Sequence, residues 1–224
     1  MALYIVSTPI GNLEDITIRA INTLKNVDFI AAEDTRHSLI LLNKYEIRKP
    51  LLSFHSHSGI MKIEKIIENL KEGKSCALIT DAGTPGISDP AYSLIKATIE
   101  ENIQIIPIPG PAAFLAALVG TGLPMNEFLY MGFLPLKKGR QTLLISLKDE
   151  ERTVVFYESP HRIKKTLSQL KEFLGPDRKI VVARELTKIY EEFIRGTIED
   201  AVRHFENKEP KGEITVVLGG CRLK

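Results

Sequence analysis

The stretch IMKIEKIIENLKEGKSCALITDAGTPGISDP, residues 60–90, shows the unit from which the first half of the chain is built. In Ile60–Leu70 the apolar residues recur at i, i+3, i+4 and i+7, which predicts an amphipathic helix. The apolar run Ala77–Thr80 predicts a buried strand, and the Gly/Pro-rich segment Asp81–Pro90 predicts a loop at its end. A helix that leads into a strand in this way is typical of a parallel sheet covered by helices.

The same alternation of strands and helices recurs on both sides of this stretch. Strands are predicted at Leu3–Val6, Val27–Ala32, Leu51–Phe54, Ala77–Thr80 and Ile103–Ile108. Helices are predicted near Ile18–Leu24, Ser38–Tyr45, Ile60–Lys71 and Tyr92–Glu101. In such α/β sheets ligands bind at the carboxyl ends of the strands, so the loops that follow each strand are the candidate functional segments.

The second half of the chain has a different pattern. Strands are predicted at Phe128–Phe133, Thr153–Tyr157, Lys179–Ala183, Glu192–Gly196 and Ile214–Leu218, and helices near Arg140–Leu147, Ile163–Leu174 and Ile198–Phe205. Leu186–Glu191 leaves no room for a helix between two strands, which predicts a mixed sheet. The Gly/Pro cluster Pro107–Pro111 and the small-residue segment Ala112–Gly122 predict a hinge. We therefore expect two α/β domains, residues 1–116 and 117–224.

Composition excludes some classes of protein. The 224 residues carry 30 Lys+Arg against 28 Asp+Glu, a net charge of +2, which excludes a protein that coats nucleic acid without sequence preference. RNA binding through local basic patches stays open. We find no apolar run of the roughly 20 residues that a membrane span needs and no signal peptide. Two cysteines fit a reduced, cytoplasmic protein.

The loop after the first strand, Ser7–Asn12, lies where a dinucleotide-binding fingerprint would be expected. It contains one glycine and Pro9 instead of G-x-G-x-x-G, which disfavours a Rossmann NAD site or a P-loop. Glu33 lies where a ribose-binding acid would fall, but the missing glycines weaken that interpretation. A plain surface turn is the alternative for this loop.

The loops Asp81–Pro90 and Pro109–Ala113 follow two further strands. Their glycines permit a close approach of the backbone to a ligand, and their prolines stiffen the chain. Asp89 before Pro90 is typical of a helix cap, whereas Asp81 at the strand tip is the functional candidate.

In the second half, Glu158 stands at a strand end beside Ser159, His161 and Arg162. This group is consistent with acid–base chemistry or with a capped helix start in which Ser159 is the N-cap. Arg184 and Glu185 end another strand and are also functional candidates. The alternative is that they form only a surface ion pair.

Metal and nucleophile chemistry is disfavoured. His55 and His57 form the one close histidine pair, without a third His or a Cys for zinc, and G-x-S-x-G is absent. The basic patches are Lys137–Arg140 and His161–Lys165, which are either solvated helix faces or RNA contacts.

Several segments together resemble the tetrapyrrole-methylase superfamily and, within it, the ribosomal RNA small subunit methyltransferase I family. The matching segments run in collinear order over nearly the whole chain: Ser7–Asn12 (STPIGN), Ala31–Arg36 (AAEDTR), Asp81–Pro85 (DAGTP), Pro109–Ala113 (PGPAA), Gly132–Pro135 (GFLP), Phe156–Arg162 (FYESPHR), Ala183–Lys188 (ARELTK) and Lys211–Glu213 (KGE). Each match alone is weak, but the series is specific. Two features depart from the family pattern: Ala112 replaces a frequent Ser or Cys, and no basic C-terminal extension follows the KGE strand.

The resemblance implies S-adenosylmethionine as methyl donor and the 2′-hydroxyl of a cytidine in the decoding region of 16S rRNA as acceptor. It also implies two α/β domains with the cofactor in a cleft between them, and a homodimer. The cofactor-binding residues it implies are Pro9, Gly83, Thr84, Ile87, Ser88, Gly110, Pro111, Ala112, Phe156, Tyr157, Ala183, Gly212 and Thr215.

A ribose hydroxyl needs a proton acceptor, which a strand-tip carboxylate or a neutral amine can supply. The expected catalytic residues are Glu158, Glu185, Asp81 and Lys188, with Glu33 and Asp34 as further candidates. The expected RNA-binding residues are Arg36, Lys137, Lys138, Arg140, Arg162 and Arg184. The alternatives are a precorrin-type tetrapyrrole C-methyltransferase and a non-catalytic RNA-binding assembly factor. No metal is expected.

Overall fold

The computed structural model describes residues 1–55 and 59–223. The chain divides into two compact units, Met1–Ala112 and Ala113–Lys224. Within the described residues, no helix is long and apolar enough to cross a bilayer.

The first unit is a parallel sheet with helices on both faces. Its strands are β1 (Leu3–Val6), β2 (Phe29–Ala32), β3 (Leu51–Ser53), β4 (Cys76–Ile79) and β5 (Ile105–Ile108). Its helices are α1 (Ile18–Asn26), α2 (Thr35–Lys44), α3 (Ile60–Lys71) and α4 (Ala91–Glu100), with a 3₁₀ turn at Leu13–Asp15. The strand order is β3-β2-β4-β1-β5, and all four pairings are parallel, which confirms the predicted sheet.

The helices of this unit divide between the two faces of the sheet. Ile66 and Leu70 of α3 share one apolar cluster with Leu94 of α4, whereas Leu24 of α1 and Leu42 of α2 belong to the other cluster. The connections that leave β1 and β4 therefore start on opposite faces, although the two strands are neighbours. Such a switch point is where open α/β sheets bind their ligands.

The second unit is a mixed sheet, as predicted. Its strands are β6 (Phe128–Phe133), β7 (Thr153–Glu158), β8 (Lys179–Arg184), β9 (Glu192–Thr197) and β10 (Ile214–Leu218). Its helices are α5 (Ala113–Val119), α6 (Arg140–Ser146), α7 (Ile163–Leu174) and α8 (Ile198–Glu206). The order is β6-β7-β10-β8-β9, in which β6 and β7 are parallel and the other three pairings are antiparallel.

Helices α6, α7 and α8 cover one face of the mixed sheet, where their apolar residues pack against Phe156, Val182 and Val216. Helix α5 packs against β7 and β10. The sequence predicted a hinge over Ala112–Gly122, but the segment AFLAALV forms this helix because Ala117 and Leu118 can be buried in it. Near the start of α5, the N–H of Phe114 donates a hydrogen bond to the Tyr157 hydroxyl, 3.2 Å away.

Candidate functional site

The loops after β1 and β4 meet at the switch point of the parallel sheet. The N–H of Thr8 donates to the carbonyl of Gly83 over 2.9 Å, and the N–H of Gly83 donates back over 3.1 Å. The Thr8 hydroxyl also donates to the carbonyl of Thr80, 3.1 Å away. Because Gly83 has a φ of +83°, a side chain here would be strained. The predicted cofactor residue Gly83 is therefore part of a fixed backbone bridge.

Three further predicted cofactor residues lie beside this bridge. The Thr84 hydroxyl donates to the carbonyl of Pro111 over 3.0 Å and lies 2.9 Å from the Ser7 hydroxyl. Gly110 packs on Ser7 so closely that a Cβ on the glycine would lie 2.8 Å from the Ser7 Cβ. The sequence did not single out Ser7 or Thr8, although both belong to the quoted STPIGN segment. The ends of β1, β4 and β5 thus form one hydrogen-bonded platform.

Three carboxylates gather at the ends of β2 and β4. Asp81 accepts the N–H of Asp34 over 3.0 Å, and Glu33 accepts the Thr80 hydroxyl over 2.5 Å. Burial raises the pKa of Asp81 above its ordinary value, and the nearby charge of Glu33 adds to this effect. The sequence candidates Asp81, Glu33 and Asp34 are therefore neighbours, and Asp81 has the raised proton affinity of a candidate base.

Beyond Asp81, the same loop places its remaining candidates at the surface. Ser88 is exposed and has a φ of +68°, and Ile87 is half-buried. The Asp89 carboxylate accepts the N–H groups of Gly86 and Ala91, so its role is structural, but the N-cap of α4 is Pro90 and not Asp89 as the sequence predicts. Pro9, in contrast, is buried.

In the mixed sheet, β10 runs between β7 and β8 and brings their predicted loops to one edge. Thr215 of β10 pairs with Tyr157 of β7 on one side and with Ala183 of β8 on the other. These three predicted cofactor residues form a continuous row across the sheet. Phe156 points to the opposite face, where it is fully buried in the core beneath the helices.

Glu158, one residue beyond Tyr157, is an expected catalytic residue, but its carboxylate is enclosed. Its side chain has 0% exposure and pairs with Arg162, whose guanidinium lies 2.7 Å away. The Thr166 hydroxyl donates to its other oxygen over 2.6 Å, and the N–H of Ser159 donates over 2.7 Å. Ser159 is not the cap of α7, because that helix begins at Ile163 with Arg162 as N-cap. Because Arg162, Thr166 and the Ser159 N–H all bind this carboxylate, Glu158 fixes the positions of the groups around it.

Glu185 and Lys188, two further predicted catalytic residues, form a charged cluster with Glu213. Lys188 Nζ lies 3.0 Å from a carboxylate oxygen of each glutamate, and Glu185 accepts the N–H of Glu213 over 2.9 Å. Burial alone would raise the pKa of Glu185, but the Glu213 N–H and Lys188 outweigh it and hold the pKa low. The pKa of Lys188 is raised because both glutamates outweigh its burial. Lys188 is therefore charged at neutral pH.

The predicted RNA-binding residues differ in exposure. Arg36 is 89% exposed and pairs with Asp34, whose pKa this arginine lowers to about 2. Lys137 and Lys138 are exposed. Arg184 is half-buried beside Glu192. Arg140 is buried, since its guanidinium donates to Gln169, Thr166 and the carbonyl of Pro135.

The predicted histidine pair cannot be compared with the structure, because His57 lies outside the described residues. Within residues 1–55 and 59–223, no three His, Cys, Asp or Glu side chains are placed to hold a metal ion.

Comparison with known proteins shows the class of protein to which this fold belongs. The family model for tetrapyrrole (corrin/porphyrin) methylases matches residues 2–202. Among solved structures, cobalt precorrin-4 methyltransferase aligns with a TM-score of 0.70 over 97% of this chain and 94% of that protein, at 19% identity. The methyltransferase CobJ aligns with a TM-score of 0.74 over 100% and 95%, also at 19% identity. At this identity the solved structures show the fold alone.

Curated relatives specify the branch. The chain is 52% identical to the ribosomal RNA small subunit methyltransferase I of Thermotoga maritima, over 97% of this chain and 98% of the relative. The proteins of the same name from Synechocystis and Bacillus subtilis are 50% and 49% identical, and the chain covers 79% and 75% of their lengths. The chain belongs to the ribosomal RNA small subunit methyltransferase I family of the tetrapyrrole methylases, a family of methyltransferases.

Proposed function

We propose that this protein transfers a methyl group from S-adenosylmethionine to the 2′-hydroxyl of a cytidine in the decoding region of 16S rRNA. The observation that carries the proposal is the identity of about half of all residues to rRNA small subunit methyltransferase I proteins over nearly the full chain. The collinear motifs STPIGN, FYESPHR and ARELTK support the rRNA branch over the tetrapyrrole branch.

The described loops fit S-adenosylmethionine better than a phosphorylated cofactor. The loop after β1 contains a buried proline and a backbone bridge to Gly83, so its N–H groups do not form a phosphate nest. The residues that would hold the cofactor are Gly83, Thr84, Ile87, Ser88, Gly110, Pro111, Ala112, Tyr157, Ala183, Gly212 and Thr215. When bound, the cofactor supplies an electrophilic methyl group.

We assign the role of proton acceptor to Asp81. Glu185, paired with Lys188, is the second candidate. Asp81 is the stronger candidate base, since burial raises its pKa, whereas the Glu213 N–H and Lys188 outweigh burial and keep the pKa of Glu185 low. Lys188 is charged, so its role is to hold Glu185 in place or to bind an anionic group. Glu158 is fully enclosed and is assigned a positioning role.

The RNA partner would be bound through exposed cations. Arg36, Lys137 and Lys138 present their side chains to solvent, and Arg184 is half-buried. Cations at the surface suit phosphate contacts, which position RNA without reading its sequence. We propose the small ribosomal subunit as substrate, action in the cytoplasm, and a homodimer as the active form.

The proposal is tested by incubating the protein with labelled S-adenosylmethionine and small subunits from cells that lack this modification. We expect label in 16S rRNA with the parent protein and with Asp28→Asn, a carboxylate that binds Ser75 at the amino end of the parallel sheet. Asp81→Asn should lose at least about 100-fold in rate, the usual contribution of a general base. In a parallel incubation with a tetrapyrrole in place of the subunits we expect no label, and label in the tetrapyrrole but not in the subunits would contradict the proposal.

Cofactor binding separates an enzyme from a non-catalytic assembly factor. We expect calorimetry to show binding of S-adenosylmethionine to the protein without RNA. Thr84→Val should weaken it, since the Thr84 hydroxyl bonds both Ser7 and Pro111. RNA binding with no affinity for S-adenosylmethionine would favour the assembly factor.

A further inference from the structure

The segment between β6 and α6, residues 134–139, is an exposed basic loop with buried ends. Leu134 and Arg140 are buried, whereas residues 135–139 between them are all exposed. Leu136 is 74% exposed and is followed by Lys137 and Lys138. An apolar side chain next to two cations at a protruding position suits contact with an RNA strand, through its bases and phosphates.

Two arginines hold the backbone of the 134–139 loop from below. Arg162 donates to the carbonyl of Leu134, 3.4 Å away, and Arg140 donates to the carbonyl of Pro135, 3.0 Å away. A carbonyl bonded by a guanidinium cannot rotate without losing a charge-assisted hydrogen bond. The first two residues of the loop are therefore fixed by side chains from α6 and from the N-cap of α7.

Both arginines form ion pairs with Glu158. One oxygen of its carboxylate is 2.7 Å from Arg162, and the other is 3.6 Å from Arg140. Thr166 links the second pair, since its hydroxyl accepts from Arg140 over 2.7 Å and donates to Glu158 over 2.6 Å. The carboxylate itself is fully enclosed, so neither RNA nor solvent competes for it.

We propose that Glu158 is a positioning residue that, through Arg140 and Arg162, holds the 134–139 loop in the conformation that docks the RNA substrate. Arg140 and Arg162 then act on the loop backbone, and Lys137 and Lys138 make the phosphate contacts. This inference rests on the proposed function, because it assigns the RNA-docking element of that reaction.

The kinetic test compares Glu158→Gln and Arg162→Lys with the parent on small subunits. Glu158→Gln keeps the size of the side chain and removes the charge that pairs both arginines. Arg162→Lys keeps the positive charge and removes the planar donor to Leu134. We expect both to raise the KM for subunits by about tenfold with kcat nearly unchanged, the pattern of lost uniform binding. The affinity for S-adenosylmethionine should not change.

The matched control is Arg178→Lys. Arg178 is also a buried arginine of this unit that donates to backbone carbonyls, those of Gly219, Leu147, Lys148 and Glu150, but it does not contact the 134–139 loop. We expect it to lower the melting temperature without raising the KM for subunits. An equal rise in KM with Arg178→Lys would show a general structural effect and overturn the inference.

Two further measurements keep the inference testable. In a Lys137→Ala/Lys138→Ala background, Glu158→Gln should raise KM little further, since groups that act through the same contacts are not additive. An undiminished effect there overturns the inference.

Trypsin should also cut after Lys137 and Lys138 several-fold faster in folded Glu158→Gln than in the parent or in Arg178→Lys. If the parent methylates no subunits, the proposed function fails, and the trypsin result alone then decides whether Glu158 holds the loop.

Discussion

Asp81 lies in a group of three carboxylates at the carboxyl ends of β2 and β4, together with Glu33 and Asp34. Burial and the neighbouring negative charge raise its pKa, so the charged form of Asp81 costs the fold stability. Residues that lower stability in this way are common at functional sites. Asp28, by contrast, has a lowered pKa because it accepts the N–H and hydroxyl of Ser75, and its charge stabilises the fold.

Asp81→Asn should therefore raise the melting temperature slightly. The gain in free energy of unfolding should be less than about 1 kcal/mol, because the site is partly open to solvent. In the folded protein the pKa of Asp81 lies above its ordinary value of 3.8. The charged carboxylate therefore lowers the stability of the fold by its full amount only when the pH is above that raised pKa. The advantage of Asp81→Asn should shrink as the pH falls through that pKa and vanish below 3.8. Thermal melts between pH 3 and pH 8 measure it.

Asp28→Asn is the control with the opposite sign. It should lower stability at neutral pH, and the loss should disappear in acid as Asp28 of the parent becomes protonated. A lower melting temperature for Asp81→Asn at neutral pH would contradict the account of Asp81.

Gly212 is required by its backbone angle and by its neighbour. Its φ is +82°, and a Cβ built on it would overlap the carboxylate of Glu185. Gly212→Ala should lower the free energy of unfolding by about 1–3 kcal/mol, measured by urea denaturation. It should also displace Glu185 from Lys188. Gly73→Ala measures the backbone strain alone, because Gly73 has a φ of +94° but nothing lies within 4 Å of the position that its Cβ would take. An equal loss in both variants would rule out a role of the Glu185 contact.

At the scale of helices and strands, the sequence predicts most elements to within two or three residues. Helix α3 begins and ends where apolar periodicity places it, because it buries one face and lies between Gly59 and Glu72. Strand β6 also has the predicted bounds, although its residues are half-buried or exposed. The sequence predicts a hinge where the structure has α5, since the small residues of this segment are typical of a hinge and its burial depends on packing against β7 and β10. The strand order also depends on tertiary packing rather than on local pattern.

In the candidate site, too, local sequence predicts some residues, whereas others depend on tertiary packing. Motif and strand-end position predict Asp81, Thr84 and Glu185, which the structure places in the segments that follow β4 and β8. They do not show that Glu158 is enclosed, because its partners Arg140 and Thr166 come from two other helices. They also pass over Thr8, whose role is a backbone bridge to Gly83. Side-chain type predicts chemistry, whereas long-range contact decides which groups remain accessible.

Helix α8 offers a test of local stability. Its capping box joins Thr197 and Asp200: the Thr197 hydroxyl accepts the Asp200 N–H over 3.2 Å, and the Asp200 carboxylate accepts the Thr197 N–H over 2.9 Å. Thr197→Ala should cost about 1–2 kcal/mol of unfolding free energy in urea. Ser146→Ala, an exposed hydroxyl at the end of α6, should stay within about 0.5 kcal/mol of the parent. Equal values for the two variants would show that the box adds nothing.

For the whole molecule, a net charge of +2 predicts an RNA affinity that depends on few ionic contacts. If Arg36, Lys137 and Lys138 make the phosphate contacts, log KM for subunits should rise with log salt with a slope of about 2 to 3. Lys137→Ala/Lys138→Ala should reduce that slope by between one and two. A slope near 8 would indicate a much larger basic surface than these residues provide.

The proposed activity of the chain is the methylation of a ribose in small-subunit RNA. The most direct measurement is mass spectrometry of 16S rRNA nucleosides and fragments from unmodified small subunits that were incubated with the protein and S-adenosylmethionine. We expect 2′-O-methylcytidine at one position in the decoding region with the parent and with Asp28→Asn, and a strong reduction with Asp81→Asn. A methyl group on a base, a methyl group outside the decoding region, or no added methyl group would contradict it.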